Sequence, residues 1–509
     1  MQNTSANNKR IAKNTLVLYL RMFLMMAISL YTSRVVLRTL GVEDFGIYNV
    51  VGGIVSMMGV INGAMSVSTT RYLTFELGKG DMVRLKQTFS MCVNIYGLLA
   101  LILFILSETI GVWFLNTQLV IPDERMVAAN WVFQFSILST IFSLLTNPYN
   151  AVIISREKMN IYAYISLADA ILKLVIVYLL LVVPFDKLVV YGFMLMLLHV
   201  LNTSIYFIYC NRKYQESRYS FYWETPLFKE LLSYTGWNLF GSCSYLVKGQ
   251  GLNILLNMFF NPSINAARGI AYQVNSTVNQ FFTNFYTAVR PQITKYYAQQ
   301  DLTNMFKLVF RSSKMAFFLI LLLSLPLIIE SPYIIQLWLG QLPDYVVPFM
   351  RIILVITAVD AMANPLMTTA HATGKIALYQ SLVGTVTILN IPISYVFLYL
   401  GYGPIIVFEI SLVIAVINLF LRLWIVKRLV NFPVLDYIRK VFLNCLLVTV
   451  FSSLIPMVAY QFVTDDYLGV LIVCSLAVLS TIVATYYVGF DRSERLFVLG
   501  FVKKKLKRK

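Results

Sequence analysis

Apolar residues in this chain run in windows of about twenty or more, each closing at a cluster of charge, glycine or proline, in place of the narrow stripes of soluble amphipathic helices. Read this way, the sequence predicts helices over 14–38, 45–68, 88–115, 126–152, 159–183, 188–210, 233–260, 266–289, 314–338, 345–371, 376–400, 404–426, 441–463 and 467–489. A helix of that length crosses the hydrocarbon layer of a bilayer. The expected fold is therefore an all-α polytopic membrane protein of about 14 transmembrane helices. The windows 14–38 and 266–289 carry the most polar side chains and have the least sharply marked ends.

The pattern also repeats. Asn147-Pro148 recurs as Asn364-Pro365, and the same offset carries Lys158 to Lys375 and Tyr162 to Tyr379. Ile121-Pro122-Asp123 recurs as Leu342-Pro343-Asp344, and Arg71-Tyr72-Leu73-Thr74 with Gly80-Asp81 resembles Pro291-Gln292-Ile293-Thr294 with Gln300-Asp301. The offset spans an even number of windows, so both halves keep one orientation in the membrane. Two parallel six-helix lobes are expected, an N-lobe over 1–225 and a C-lobe over 226–430, with two further helices and a basic tail over 431–509. Duplicated lobes of this kind are a transporter architecture, in which substrate binds between the lobes and access alternates as one rocks against the other.

Composition fits a lipid environment. Of 509 residues, 59% are apolar and 13% are Asp, Glu, Lys or Arg, about half the charged share of a soluble domain. Two histidines, His199 and His371, lack HExxH spacing, and five cysteines fall in or beside apolar runs, which leaves little material for a zinc or redox centre. No GxGxxG or GxxxxGK[ST] loop is present. No metal, cofactor, disulfide or catalytic residue is expected.

The net charge of +18 is distributed unevenly. Most of the 41 Lys and Arg fall in one alternate set of connections: Lys9, Arg10 and Lys13; the 71–86, 212–229, 290–314 and 427–440 loops; Arg156, Lys158 and Lys375; and the C-terminal tail. The other set holds Arg38, Arg125, Lys187 and Arg268. Positive residues in short loops stay in the cytoplasm, so both termini are expected there. The tail Lys-Lys-Lys-Leu-Lys-Arg-Lys is expected against anionic headgroups, with no nucleic-acid role. The first window is too long and polar for a cleavable signal.

Polar side chains inside spans point to a cavity, because each is costly against lipid. The first window carries Arg21, with Asn14 and Thr32 on the same face, and Arg34 near its outer end. The second has Asn49, Gly53, Ser56 and Gly63, and the seventh has Lys248 among Gly241, Tyr245, Gly249 and Gly251. On the eighth, Arg268, Asn275, Asn279 and Tyr286 fall within about 40° at 100° per residue. These windows are repeat-equivalent pairs, and their fixed charge is positive. A phosphate or diphosphate suits it, since Arg offers a fork and Lys a point charge to oxyanions. Arg34, Arg38, Arg351 and Arg422 also read as residues near span ends that snorkel to headgroups. Asp169 and Lys173, four apart, read as an internal pair; Asp169, Asp360 and Glu409 are candidate ion-coupling acids.

Lys13 to Leu16 (Lys-Asn-Thr-Leu), Arg38 to Asn49 (Arg-Thr-Leu-Gly-Val-Glu-Asp-Phe-Gly-Ile-Tyr-Asn) and Ser68-Thr-Thr-Arg-Tyr resemble the polysaccharide-transporter branch of the multidrug/oligosaccharidyl-lipid/polysaccharide (MOP) exporter superfamily, the Wzx-type O-antigen and capsule repeat-unit flippases. The resemblance implies a multi-pass protein of the bacterial inner membrane. It implies movement of an undecaprenyl-diphosphate-linked oligosaccharide to the periplasmic leaflet for surface polysaccharide biosynthesis. Membrane lipids and a polysaccharide polymerase are the further partners to consider. Arg21, Arg34, Lys248 and Arg268 then become the diphosphate candidates, and Tyr245, Asn275, Asn279 and Tyr286 the sugar candidates. Two other readings remain at this point: a cation-coupled multidrug exporter of the same superfamily, favoured if Asp169 is free of Lys173, and a membrane glycosyltransferase or polymerase, disfavoured by the short loops.

Overall fold

The computed structural model describes residues 2–56, 59–117, 121–260, 262–340, 342–462, 467–492 and 494–495. Its elements are α1 (Gln2–Ser56), α2 (Gly59–Lys79), α3 (Met82–Leu106), α4 (Val112–Thr117), α5 (Met126–Ser155), α6 (Met159–Leu179), α7 (Lys187–Lys213), α8 (Thr225–Phe259) and α9 (Pro262–Ala298). They continue with α10 (Leu302–Ile329), α11 (Ser331–Leu339), α12 (Val346–Ala372), α13 (Ala377–Ile388), α14 (Asn390–Tyr399), α15 (Ile406–Val430), α16 (Val434–Tyr437), α17 (Leu443–Phe462) and α18 (Tyr467–Ala484). Among the described residues all regular structure is helical, as lipid demands of a chain with no closed barrel.

Eleven of the described helical segments are long and apolar enough to cross a membrane. Of the three other expected spans, those in α8 and α9 have apolar runs interrupted by polar side chains, and the one over 45–68 lies partly outside the described residues. Large apolar side chains on the spans remain exposed, among them Leu101, Ile105, Leu454, Ile455, Leu471 and Ile482. That is an outer surface suited to acyl chains and costly in water.

Several windows differ from the expected helices. The first runs on to Ser56, broken at Gly41, whose φ of 81° and ψ of 170° only glycine adopts readily. The motif around Gly41 therefore turns the chain, and Asp44 just beyond it is held by Arg125, with Nη2 2.6 Å from Oδ2. The window 314–338 is divided at Glu330, ahead of Pro332, and the window 376–400 is divided at Leu389, ahead of Pro392. Within 88–115 a π-type turn at Ser107–Gly111 sets Gly111 against Phe133, where an added Cβ would lie 2.7 Å from the ring.

The chain forms two compact units: Met1–Ser242 with Thr294–Gln300, and Cys243–Ile293 with Asp301–Lys509. In unit 1, Ile47 and Val51 pack with Val132, Phe133 and Ile137 of α5, and Phe89, Tyr149 and Tyr206 join α3, α5 and α7. In unit 2, the rings of Phe349 and Phe408 meet tilted, with centroids 4.2 Å apart, to join α12 and α15, and Phe432 and Tyr437 close on Phe310 of α10.

The repeat appears in both boundaries and caps. Asp81 caps α3 through the Arg84 amide, and Asp301 caps α10 through the Asn304 amide. The residue before each is left-handed: Gly80 at φ 84° and Gln300 at φ 58°. Pro148 and Pro365 both lie inside their helices, α5 and α12.

Candidate functional site

Unit 2 brings several of the expected residues together on α8, α9 and α12, and adds one from α15. Tyr245 and Lys248 lie one turn apart on α8. The Tyr245 ring is half exposed, and its hydroxyl accepts from Arg422 Nη2 of α15 at 2.8 Å. Arg422 also lies 3.7 Å from Asp360 Oδ1 on α12. Arg422 is 3% exposed. Its expected path to the headgroups is therefore wrong: the guanidinium turns inward because α8 and α12 offer it a hydroxyl and a carboxylate. Arg351 does not snorkel either, since its Nε donates to the Ile328 carbonyl at 2.9 Å and Ser331 Oγ at 2.8 Å.

On α9, Arg268 sits within the helix and reaches back to α8. Its Nη2 donates to the Gly249 carbonyl at 2.7 Å and its Nη1 to Asn253 Oδ1 at 3.1 Å, with the guanidinium 4.6 Å over the Tyr272 ring. All these partners are neutral, so the positive charge is undiminished. Asn275 is buried and accepts from Thr357 Oγ1 at 2.6 Å. The Tyr286 hydroxyl donates to the Asn364 carbonyl at 3.0 Å and also meets Thr368 Oγ1. Asn279 is half-buried. The polar positions of α8 and α9 thus lead to α12 and α15, and the Pro365 region of α12 supplies the backbone acceptor for Tyr286.

Unit 1 holds the rest. Arg21 lies 4.4 Å over the Tyr162 ring of α6, and its buried Nε has no hydrogen-bond partner among the described residues. Asp169 pairs with Lys173 at 2.9 Å and accepts from Asn202 at 2.5 Å. Asn14 is bonded to the Glu157 carbonyl. Glu409 is exposed in the first turn of α15, where a carboxylate suits the helix N-terminus. The side chains of Arg34, Asn49, Gly53 and Ser56, and the basic tail, lie outside the described residues. Among the described residues no cluster of His, Cys, Asp and Glu would hold a metal ion.

The sequence reading missed Arg422 as a member of the polar set. Its one sequence signal was an arginine between the apolar runs of α15, and position along the span sent it to the membrane surface.

A helical membrane protein with a polar, net cationic set on α8, α9 and α15 falls in a known fold class. A family model described as MatE matches residues 18–179. A search of curated proteins found no match. Among solved structures, an outward-facing multidrug resistance MATE family transporter of the MOP superfamily superposes with a TM-score of 0.71 at 13% identity, covering 83% of this chain and 97% of that one. A MATE protein in complex with MaD3S gives 0.70 at 13% identity with the same coverage. A MOP superfamily transporter from Pyrococcus furiosus, described as having a binding pocket of reverse polarity that suggests a different function, gives 0.65 at 13% identity over 82% of this chain and 96% of that one. The fold is that of the MATE transporters.

Proposed function

We propose that this chain is an alternating-access flippase for a lipid-linked anionic headgroup. In this reading it moves an undecaprenyl-diphosphate-linked oligosaccharide from the cytoplasmic to the periplasmic leaflet of a bacterial inner membrane. The observation that carries the reading is the sign of the charge. In unit 2 the polar set of α8, α9, α12 and α15 carries Lys248, Arg268 and Arg422, with Asp360 its one carboxylate among the described residues. In unit 1, Arg21 keeps a buried Nε free of partners among the described residues. A diphosphate would pair with such groups, with Arg as a fork and Lys as a point charge. The half-exposed Tyr245 beside them offers a ring face and a hydroxyl edge to a sugar.

The reading as a multidrug exporter is favoured by the MatE match over residues 18–179. It calls for an acid able to hold an organic cation, and Asp169 is already engaged by Lys173 and Asn202. A protein of similar fold is described as having a binding pocket of reverse polarity that suggests a different function, which supports a reading other than multidrug export.

The test is single replacement of Arg21, Lys248 and Arg268 by Ala, after confirming membrane insertion. Loss of surface glycan with accumulation of the lipid-linked unit on the inner leaflet is expected. Full export with all three removed overturns the diphosphate reading.

A further inference from the structure

The corner between α5 and α6 carries a side chain where its counterpart in the second repeat carries none. Glu157 is left-handed at φ 57°, and the repeat-equivalent residue, Gly374, is left-handed at φ 79°. Glycine adopts this conformation freely and a side chain does so at a cost. A strained residue kept at such a corner points to work done by the side chain.

That side chain is fully buried and doubly gripped. Arg10 Nε of α1 lies 2.7 Å from Oε2, and Lys295 Nζ, in the last turn of α9, lies 2.5 Å from Oε1. Asn14 donates to the Glu157 carbonyl at 3.2 Å. Burial pulls the Lys295 ammonium below its ordinary pKa, and the Glu157 carboxylate opposes the fall. Around this pair the helices are in close contact. A Cβ on Gly78 of α2 would lie 2.7 Å from the Ala298 Cβ and 3.1 Å from the Lys295 Cα. The first turns of α8 are tied as well, through the Tyr72 hydroxyl to Glu230 Oε1 at 2.9 Å. All of these contacts lie inside unit 1, while α8 from Cys243 onward and α9 as far as Ile293 belong to unit 2.

We propose that Glu157, gripped by Arg10 and Lys295, is a latch that holds the basic-side ends of α8 and α9 against α1, α2 and the α5–α6 corner, and that must release before substrate loads from that side. A buried ion pair suits such a device. Either partner left alone in a low-dielectric setting is costly, so the pair is either made or opened to water, with little in between. Relative motion of α8 and α9 is what rocking transport requires of helices shared by two units.

The test uses the full-length protein in lipid nanodiscs, with its five native cysteines replaced and spin labels at Lys158→Cys and Gln299→Cys, both exposed positions. Pulsed electron resonance reads the label separation. The unsubstituted latch is expected to give mainly the short distance. Glu157→Gln and Lys295→Gln should each shift the ratio towards a longer distance by about tenfold or more. The double variant should move it no further than the stronger single one. Glu157→Gly, which relieves the backbone while removing the carboxylate, should also open. An unchanged distribution in Glu157→Gln and Lys295→Gln, additive single effects, or a closed Glu157→Gly overturns the proposal. Should Glu157→Gln fail to insert, Lys295→Gln decides by the same outcomes. The distance reports motion alone, so failure of the anionic-substrate reading leaves this test standing.

Discussion

Arg422 has less than its full set of partners for a guanidinium at 3% exposure: one tyrosine hydroxyl at 2.8 Å, a carboxylate at 3.7 Å, and an Nε with no hydrogen-bond partner among the described residues. A buried cation held this loosely can exchange its carboxylate for another anion. Asp360 and Arg422 should therefore separate by substitution. Asp360→Asn should keep export while lowering stability by about 1–2 kcal/mol, a figure reduced for the half-exposed carboxylate. Arg422→Leu should abolish export, and Arg422→Lys should restore it poorly, because an ammonium lacks the fork that spans Tyr245 and an oxyanion. Surface glycan and melting in detergent check both; equal export loss in Asp360→Asn and Arg422→Leu would remove Arg422 from the substrate site. Residues of this kind were only partly legible in the sequence. Lys248 and Arg268 stood out because they interrupt apolar runs, whereas the partners of Arg422 and Glu157 lie as far as 177 and 147 residues away. No local pattern pairs groups across that separation.

At the scale of elements, the boundaries were more legible than the breaks inside them. Loop-proximal polar residues survive in both repeats because they have capping work to do, as at Asp81 and Asp301. A hydropathy window registers apolarity and is blind to continuity, so the divisions at Gly41, Glu330 and Leu389 and the π-type turn at Ser107–Gly111 passed unseen. The caps give a test that any reader of the repeat can make. Asp81→Ala and Asp301→Ala should each lower stability by about 1 kcal/mol, with Asp→Asn nearly neutral, since the side-chain oxygen on the free amide is what counts. Thermal unfolding of the detergent-solubilised protein reads the difference. A large loss for one site and none for the other would mean that the two caps, though built alike, do not carry equivalent loads.

At the scale of the molecule, the duplication makes a claim about orientation that no single helix carries. The corner at 156–158 and its counterpart at 373–376 both follow a proline-containing helix and both turn through a left-handed residue, Glu157 and Gly374. If the repeats are parallel, an even number of crossings separates these corners and both must face one side. The concentration of Lys and Arg at that set of loops makes the cytoplasm the expected side. Single cysteines at Lys158 and Lys375 should then react with a membrane-impermeant maleimide only when the inner face is opened. Cysteines at Phe185 and Tyr402, exposed in the connections that follow α6 and α14, should react in intact cells. The two polar spans between these corners, α8 and α9, decide the outcome. Should one of the α8 and α9 segments fail to cross, the parity between the two corners changes and residues 158 and 375 label from opposite faces. Such a result would also dissolve the transporter reading, because rocking access needs two lobes that share an orientation. Labelling of both corners from the inside would instead show that helices as polar as α8 and α9 still cross, with their polar faces turned away from lipid.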